Sequence, residues 1–336
     1  MKIRHSTIPV FIPEEACPNR CVFCNQYNIA GAECAPSIAD VIRKVDAHLL
    51  TIPDDINVEI GFFGGNFTGI PVEGQKAYLA SVQHYIASGR VAGIRISTRP
   101  DYINSGILAL LKQFHVTTIE LGAQSLDEEV LKLAGRGHSV AQVHEASQLI
   151  RENGFNLGLQ MMVGLPGDTA EKSIFTASEI IRLGAGNTRI YPTLVIKNTD
   201  LEKLFHDGKY SPLTLEEAIN RVADIVPIFT EAGVKILRMG LHPSEGFLDN
   251  TSLVAGPFHV AFGELVFSEI WRRLQSNMVF GNGKKNLLTL TVANGMRNAA
   301  IGHKAANKAL LLQSFRKVIY IESDDMKGFE YHAHTD

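Results

Sequence analysis

From Ile8 to about Leu241, short runs rich in β-branched and aromatic residues alternate with stretches of helical period. A chain with this rhythm has few ways to bury its apolar surface. Neighbouring strands separated by helix-length connections must run parallel, with the helices as crossovers packed on the sheet. The candidate strands are Ile8–Ile12, Val58–Phe63, Gly93–Thr98, Thr117–Leu121, Leu157–Val163, Thr188–Pro192 and Val234–Leu237, and candidate helices include Ile38–Leu49, Glu128–Ala134 and Leu215–Ala232. Repetition over this length predicts a barrel or partial barrel of the α/β class, in which the loops after the strands build the functional site.

The alternation stops near Gly240, and Leu241–Phe262 is rich in Pro, Gly and His. We therefore expect residues 1–240 to form the partial barrel and residues 241–336 a small α+β extension. In that extension Leu287–Val292 and Lys317–Glu322 read as strands around a helix at Lys304–Phe315, with Phe329–Ala333 as a last strand. The 336 residues carry 32 Lys and Arg against 35 Asp and Glu, so the surface is not basic overall. The extension departs from that balance. Residues 270–321 contain no acid, while Arg272, Arg273, Lys284, Lys285, Arg297, Lys304, Lys308, Arg316 and Lys317 all fall there. This predicts a locally cationic face with the charge needed to contact RNA phosphates.

Chemistry is announced by Cys17-Pro-Asn-Arg-Cys21-Val-Phe-Cys24, which sets three thiols in a loop just after the first strand. Four cysteines in all are too few for a disulfide framework, and the clustering points to metal. Two readings follow. Three thiolates on a four-iron cluster leave one iron open for a substrate or cofactor, as in catalytic rather than closed structural sites. Alternatively Cys34 supplies a fourth thiolate, and Cys17, Cys21, Cys24 and Cys34 hold a structural zinc in a non-catalytic RNA-binding protein.

Further segments fall in order along the barrel. The second strand runs into Phe63-Gly64-Gly65-Asn66, where missing Cβ atoms let backbone approach a ligand. Then come Ile119-Glu120-Leu121-Gly122-Ala123-Gln124-Ser125, Arg136-Gly137-His138, Met161-Met162-Val163-Gly164-Leu165-Pro166-Gly167 and Ile190-Tyr191-Pro192-Thr193-Leu194. The C-x3-C-x2-C spacing with Phe23 before the third cysteine, together with this series, resembles the radical S-adenosylmethionine (SAM) superfamily. Over roughly Ile8 to Gly240 the likeness is to the radical SAM half of the Elongator catalytic subunit family, and more distantly to oxygen-independent coproporphyrinogen oxidase.

The resemblance implies a partial (β/α)6 TIM-like barrel of the radical SAM type, with a 4Fe-4S cluster on Cys17, Cys21 and Cys24. It implies that the backbone of Gly64, Gly65 and Asn66 holds the methionyl amino group of SAM, with Phe23 nearby, and that Ser97, Gln124, Arg136 and Gln160 line its ribose and carboxylate. Asn66 stands where relatives often have Glu, which keeps a carbonyl contact and loses a charge. Elongator catalytic subunits carry an acetyltransferase domain after the barrel. With only residues 241–336 remaining, that domain is expected to be absent, so only the barrel chemistry carries over. A reductant such as a flavodoxin or ferredoxin is implied, and the substrate is left unidentified, tRNA being one class to which the basic segment adds weight. Glu59, Glu120, Tyr191, Arg238, His242 and His259 are weaker candidates, and Met161 and Met162 read as core. The N-terminus lacks the apolar run of a signal peptide and no run is long enough to span a bilayer, so a cytoplasmic protein with no membrane partner is expected.

Overall fold

A computed structural model describes residues 5–13, 17, 21–30, 34–242, 245–249, 251–279 and 284–336. Seven parallel strands form the main sheet: β1 (His5–Ile12), β2 (Asn57–Gly64), β3 (Gly93–Thr98), β4 (Val116–Gln124), β5 (Asn156–Val163), β6 (Asn187–Pro192) and β8 (Lys235–Met239), side by side in that order. Six βα units thus lead to a seventh strand, each expected run falling on its own strand. The order ends at β1 and β8, which do not pair with each other, so the barrel is left open along one side.

The two faces of this sheet differ in kind, as the period of two along a strand requires. Ile8 and Val10 of β1, Ile60 and Phe62 of β2, Ile94 and Ile96 of β3, Ile119 and Leu121 of β4, Leu157, Leu159 and Met161 of β5 and Ile190 of β6 all enter the principal core. They pack beneath helices whose starts are fixed by side chains. Ser37 and Asp40 form a reciprocal cap on Ile38–Leu49, Asp127 caps Glu128–Leu133, and Thr214 and Glu217 do so on Leu215–Glu231. The last of these helices buries Ala218, Val222, Ile225, Val226 and Phe229.

The opposite face is polar. Arg95 of β3 donates from Nε and Nη2 to Glu59 Oε2 at 3.1 and 2.9 Å and from Nη1 to Glu120 Oε1 at 2.7 Å. Arg189 of β6 completes the group, bonding Glu120 through Nε at 2.7 Å and Nη2 at 3.2 Å. Two acids and two guanidiniums cancel in charge, which is what makes their burial tolerable. Gly158 of β5 leaves the room for them: a Cβ there would stand 2.5 Å from Asn187 Oδ1 and 2.9 Å from Glu120 Cγ.

Beyond the barrel, β7 (Val195–Ile196) pairs with β9 (Leu253–Ala255) as a short antiparallel ribbon. In the extension β10 (Lys285–Ala293) lies parallel to β11 (Phe315–Ser323) and antiparallel to β12 (Tyr331–Thr335). A short helix at Ala306–Leu311 occupies part of the expected Lys304–Phe315, another at Arg297–Ile301 precedes it, and Phe315 belongs to β11. The helix Phe262–Gln275 serves both regions, giving Phe262, Val266 and Ile270 to the barrel core and Trp271 to the core of the extension. No described helix is long and apolar enough to cross a membrane.

Candidate active site

The polar face of the sheet and the loops at its carboxyl ends enclose one cavity of about 610 Å³. Cys17, Cys21, Phe23, Cys24, Gly64, Gly65, Ser97, Gln124, Arg136 and Gln160 all line it. Asn66 is set just behind, in a small side pocket with Gly65 and Ser97. Its Oδ1 accepts from Thr98 Oγ1 at 2.6 Å and from the Arg99 backbone N–H at 3.3 Å, so this side chain ties the β2 loop to the end of β3.

The cysteine loop is held by backbone. The Val22 N–H donates to Ala134 O at 3.1 Å, the Leu201 N–H donates to Val22 O at 2.7 Å, and Asn25 and Asn28 each donate from Nδ2 to Lys197 O at 3.2 Å. Below it, Cys21 and Phe23 pack with Val130, Ala134, Leu165, Val195 and Leu201. Cys21 is buried, Cys17 and Cys24 are half-buried, and Cys34 is exposed and off the cavity wall. Residues 14–16 and 18–20, which flank Cys17, lie outside the described residues. Among the described residues no three His, Cys, Asp or Glu side chains form a set that would hold a metal ion. The three sulfurs share a wall without closing a ligand shell.

Cationic groups face them. Arg136 donates from Nη1 to Cys21 Sγ at 3.2 Å and from Nη2 to Gly122 O at 2.5 Å. Arg99, missed in the sequence, is 2% exposed and forks onto Asp101 at 2.9 and 3.0 Å while its Nη2 also donates to Arg136 O at 2.8 Å. Burial works against its charge, but Asp101 and then the Cys21 and Cys17 sulfurs outweigh it and raise its pKa. His138 sits beneath this pair, and burial, then Arg136 and Arg99, push its pKa down to about 3. The signal for Arg99 was its place at the end of β3, in Thr98-Arg99-Pro100-Asp101, the loop position where barrel enzymes keep functional groups.

Several polar atoms here have no hydrogen-bond partner among the described residues: Nη1 of Arg99, Nε of Arg136 and Oε1 of Gln124. Gln124 also holds φ at +66°, a costly conformation for a residue other than glycine. On the floor, Gln160 Nε2 donates to Ser97 Oγ at 3.0 Å and to Glu120 Oε2 at 3.0 Å. Both its N–H groups are spent inside the protein, which leaves its Oε1 to accept and the Ser97 O–H to donate into the cavity. The donor set therefore fits an iron-sulfur cluster and a polar, zwitterionic cofactor: three thiols beside two guanidiniums, with unused hydrogen-bonding capacity around them.

Tyr191, Arg238, His242 and Met162 also line the cavity, while Met161 is in the core. His259 does not line it. Its Nδ1 accepts from the Ala261 N–H at 3.0 Å and its ring meets His303 edge-on, just ahead of the helix Phe262–Gln275. Glu59 and Glu120 are the ion-pair partners described above, not groups presented to a substrate.

The pattern of the Radical SAM superfamily matches residues 11–180, and that of the Radical_SAM C-terminal domain matches residues 187–272. The tRNA uridine(34) acetyltransferase of Dehalococcoides mccartyi is 28% identical over 243 residues, covering 62% of this chain and 53% of that protein. Elongator complex protein 3 of Homo sapiens is 32% identical over 197 residues, covering 52% of this chain and 36% of that protein. The chain thus spans about half the length, or less, of these curated relatives. The structure of the archaeal Methanocaldococcus infernus Elp3 with an N-terminal deletion superposes with a TM-score of 0.65 at 23% identity, over 81% of this chain and 64% of that one, and shares its fold.

Proposed function

The chain belongs to the radical SAM superfamily, and from that premise we propose that this enzyme holds a 4Fe-4S cluster on Cys17, Cys21 and Cys24, reductively cleaves SAM there, and acts on tRNA. When bound, the cluster and SAM supply a 5′-deoxyadenosyl radical from one electron, a flavodoxin or ferredoxin being the class of donor. The observation that carries the reading is the single cavity wall shared by every assigned residue except Asn66.

The protein's own groups divide the remaining work. Arg136 faces the Cys21 sulfur and offsets the negative charge that three thiolates bring into a buried site. Its unpaired Nε, with Gln124 Oε1, offers bonds to the methionyl end of SAM. Ser97 and Gln160, fixed by Glu120, present one donor and one acceptor suited to ribose hydroxyls. The Gly64 and Gly65 backbone borders the same wall, with Asn66 setting its position from behind. Phe11, Phe23, Phe63, Leu194 and Ile196 line the cavity and exclude water from a reactive species.

Support for tRNA is the name of the Dehalococcoides relative and the basic extension. Arg272 and Arg273 of that segment are spent on Glu269 and Asp224. Arg297, Lys304, Lys308, Arg316 and Lys317 have no carboxylate partner among the described residues and remain to meet phosphates.

The test is anaerobic reconstitution followed by iron and sulfide analysis and a dithionite-dependent assay for 5′-deoxyadenosine. Cys21→Ala is expected to abolish both iron binding and SAM cleavage, and Cys34→Ala to leave both in place. Stoichiometric zinc, lost equally from the two variants, would favour the four-cysteine zinc protein instead.

A further inference from the structure

The cavity has a charge imbalance that the cluster and SAM do not account for. Among the described residues no Asp or Glu lines it, whereas Arg99, Arg136, Arg189, Lys235 and Arg238 do. The first three are matched: Arg99 by Asp101, Arg136 by the Cys21 sulfur, Arg189 by Glu120. Lys235 and Arg238 are not. Neither has a carboxylate partner among the described residues, and both stand on β8, at the open side of the barrel.

Three positions apart on a regular strand, these two side chains would point to opposite faces. The pairing of β8 with β6 is irregular. Asn187 stands opposite Lys235 and Thr188 opposite Ile236, but Arg189 stands opposite Arg238, so Leu237 is an extra residue. That bulge turns Arg238 onto the face of Lys235, since Asn187 and Arg189, their partners, are both on the cavity side. Arg238 is also aimed. Its Nε donates to Gly240 O at 2.9 Å and its Nη2 to Leu241 O at 3.3 Å, contacts that fix the guanidinium without neutralising it. Its Nη1 makes no hydrogen bond among the described residues, and exposed His242 lies 3.3 Å from Nη2.

We propose that the bulge in β8 builds an anion seat, in which Lys235 and Arg238 hold a phosphodiester group of the substrate at the open edge of the barrel. A guanidinium fork and an ammonium on one face, about 7 Å apart along the strand, suit the unesterified oxygens of a phosphate. The proposal rests on the reading of the protein as a radical enzyme with an RNA substrate and names the residues that would place it.

The experiment measures binding of a labelled RNA hairpin to the full chain across a salt series, with Lys235→Ala/Arg238→Ala and Arg238→Lys as variants. Loss of both charges is expected to weaken binding at least tenfold and to reduce the slope of log affinity against log salt by about two. Arg238→Lys keeps the charge but not the fork or its carbonyl bonds, and is expected to fall between the parent and the double variant in affinity while keeping the salt slope of the parent. Inorganic phosphate is expected to displace the RNA better than acetate at matched ionic strength. The seat is overturned if the double variant keeps its affinity and salt slope, if Arg238→Lys loses as much as the double variant, or if acetate competes equally. SAM cleavage by the unaltered protein decides the radical reading separately: RNA held by this rim in a protein that cannot split SAM would sink that reading and leave the seat standing.

Discussion

Arg189 and Glu120 face each other across the barrel floor through two N–H···O bonds of 2.7 and 3.2 Å, although they lie 69 positions apart in the chain. Burial alone would raise the Glu120 pKa, yet Arg189 and Arg95 together hold it below the ordinary carboxylate range. The pair locks β4 to β6 and, through Gln160, fixes Ser97 on the cavity wall.

Glu120→Gln should therefore cost about 3–5 kcal/mol, because it leaves two buried guanidiniums short of counter-charge. The sign with pH follows from the depressed pKa. The carboxylate's contribution is complete above the unfolded value of about 4.3 and is lost as pH falls through the folded one. Urea unfolding of the metal-free protein at neutral pH and near pH 3 checks this: the variant should be weaker at neutral pH and the gap should narrow in acid.

His138 gives a second, separable acid response. It stays neutral in the fold until about pH 3, whereas the unfolded chain takes up a proton near pH 6.5. Stability is thus complete above about pH 6.5 and falls by about 1.4 kcal/mol per unit below it. His138→Leu should remove this slope, so that between pH 7 and pH 5 its urea midpoint moves less than that of the parent, by the equivalent of about 2 kcal/mol. Parallel curves for the two proteins would show that His138 is protonated in the fold.

Arg136 spans Cys21 and Gly122, and its loss should be felt in cofactor affinity before fold. Removing a hydrogen bond to a charged group costs about 1.5–3 kcal/mol, so Arg136→Ala should raise the SAM concentration for half-maximal 5′-deoxyadenosine formation at least tenfold. Arg136→Lys keeps the charge without the fork and should fall between. A Tm within a degree or two of the parent would keep the comparison clean.

Gly64 is irreplaceable for a local reason. Its φ is +122°, and a Cβ would stand 2.1 Å from Ile12 O. Gly64→Ala should lower the melting temperature by several degrees, corresponding to about 2 kcal/mol or more, and reduce SAM cleavage with it. Gly295→Ala, where no atom lies within 4 Å of the added carbon but φ is +84°, should cost only the backbone penalty.

The sheet was legible because the barrel strands are continuous apolar runs, and a run such as Val58–Phe63 has no other way to bury Val58, Ile60 and Phe62. Ser97 and Gln160 came from the family resemblance, and the alternation within those runs accounts for their sharing the other face with Glu59 and Glu120. What escaped was set by contacts between distant segments. The ribbon of β7 and β9 is too short to have a period, Arg99 shows its role only once Asp101 and Arg136 are beside it, and the bulge at Leu237 exists only in the register of β8 against β6. Asn66 was placed on the cavity wall by its motif, while its bonds to Thr98 and Arg99 set it one layer back.

The cysteine loop, close to the amino end, hangs from Ala134, Lys197 and Leu201. A nascent chain therefore presents its thiols long before the anchors that shape the loop have been made. On the reading that these cysteines hold a cluster, iron delivered early would meet thiols in a chain that has not yet made their anchors. Cluster loading is expected to be post-translational, and a chain cut before Val195 should take up iron poorly even though every sulfur is present.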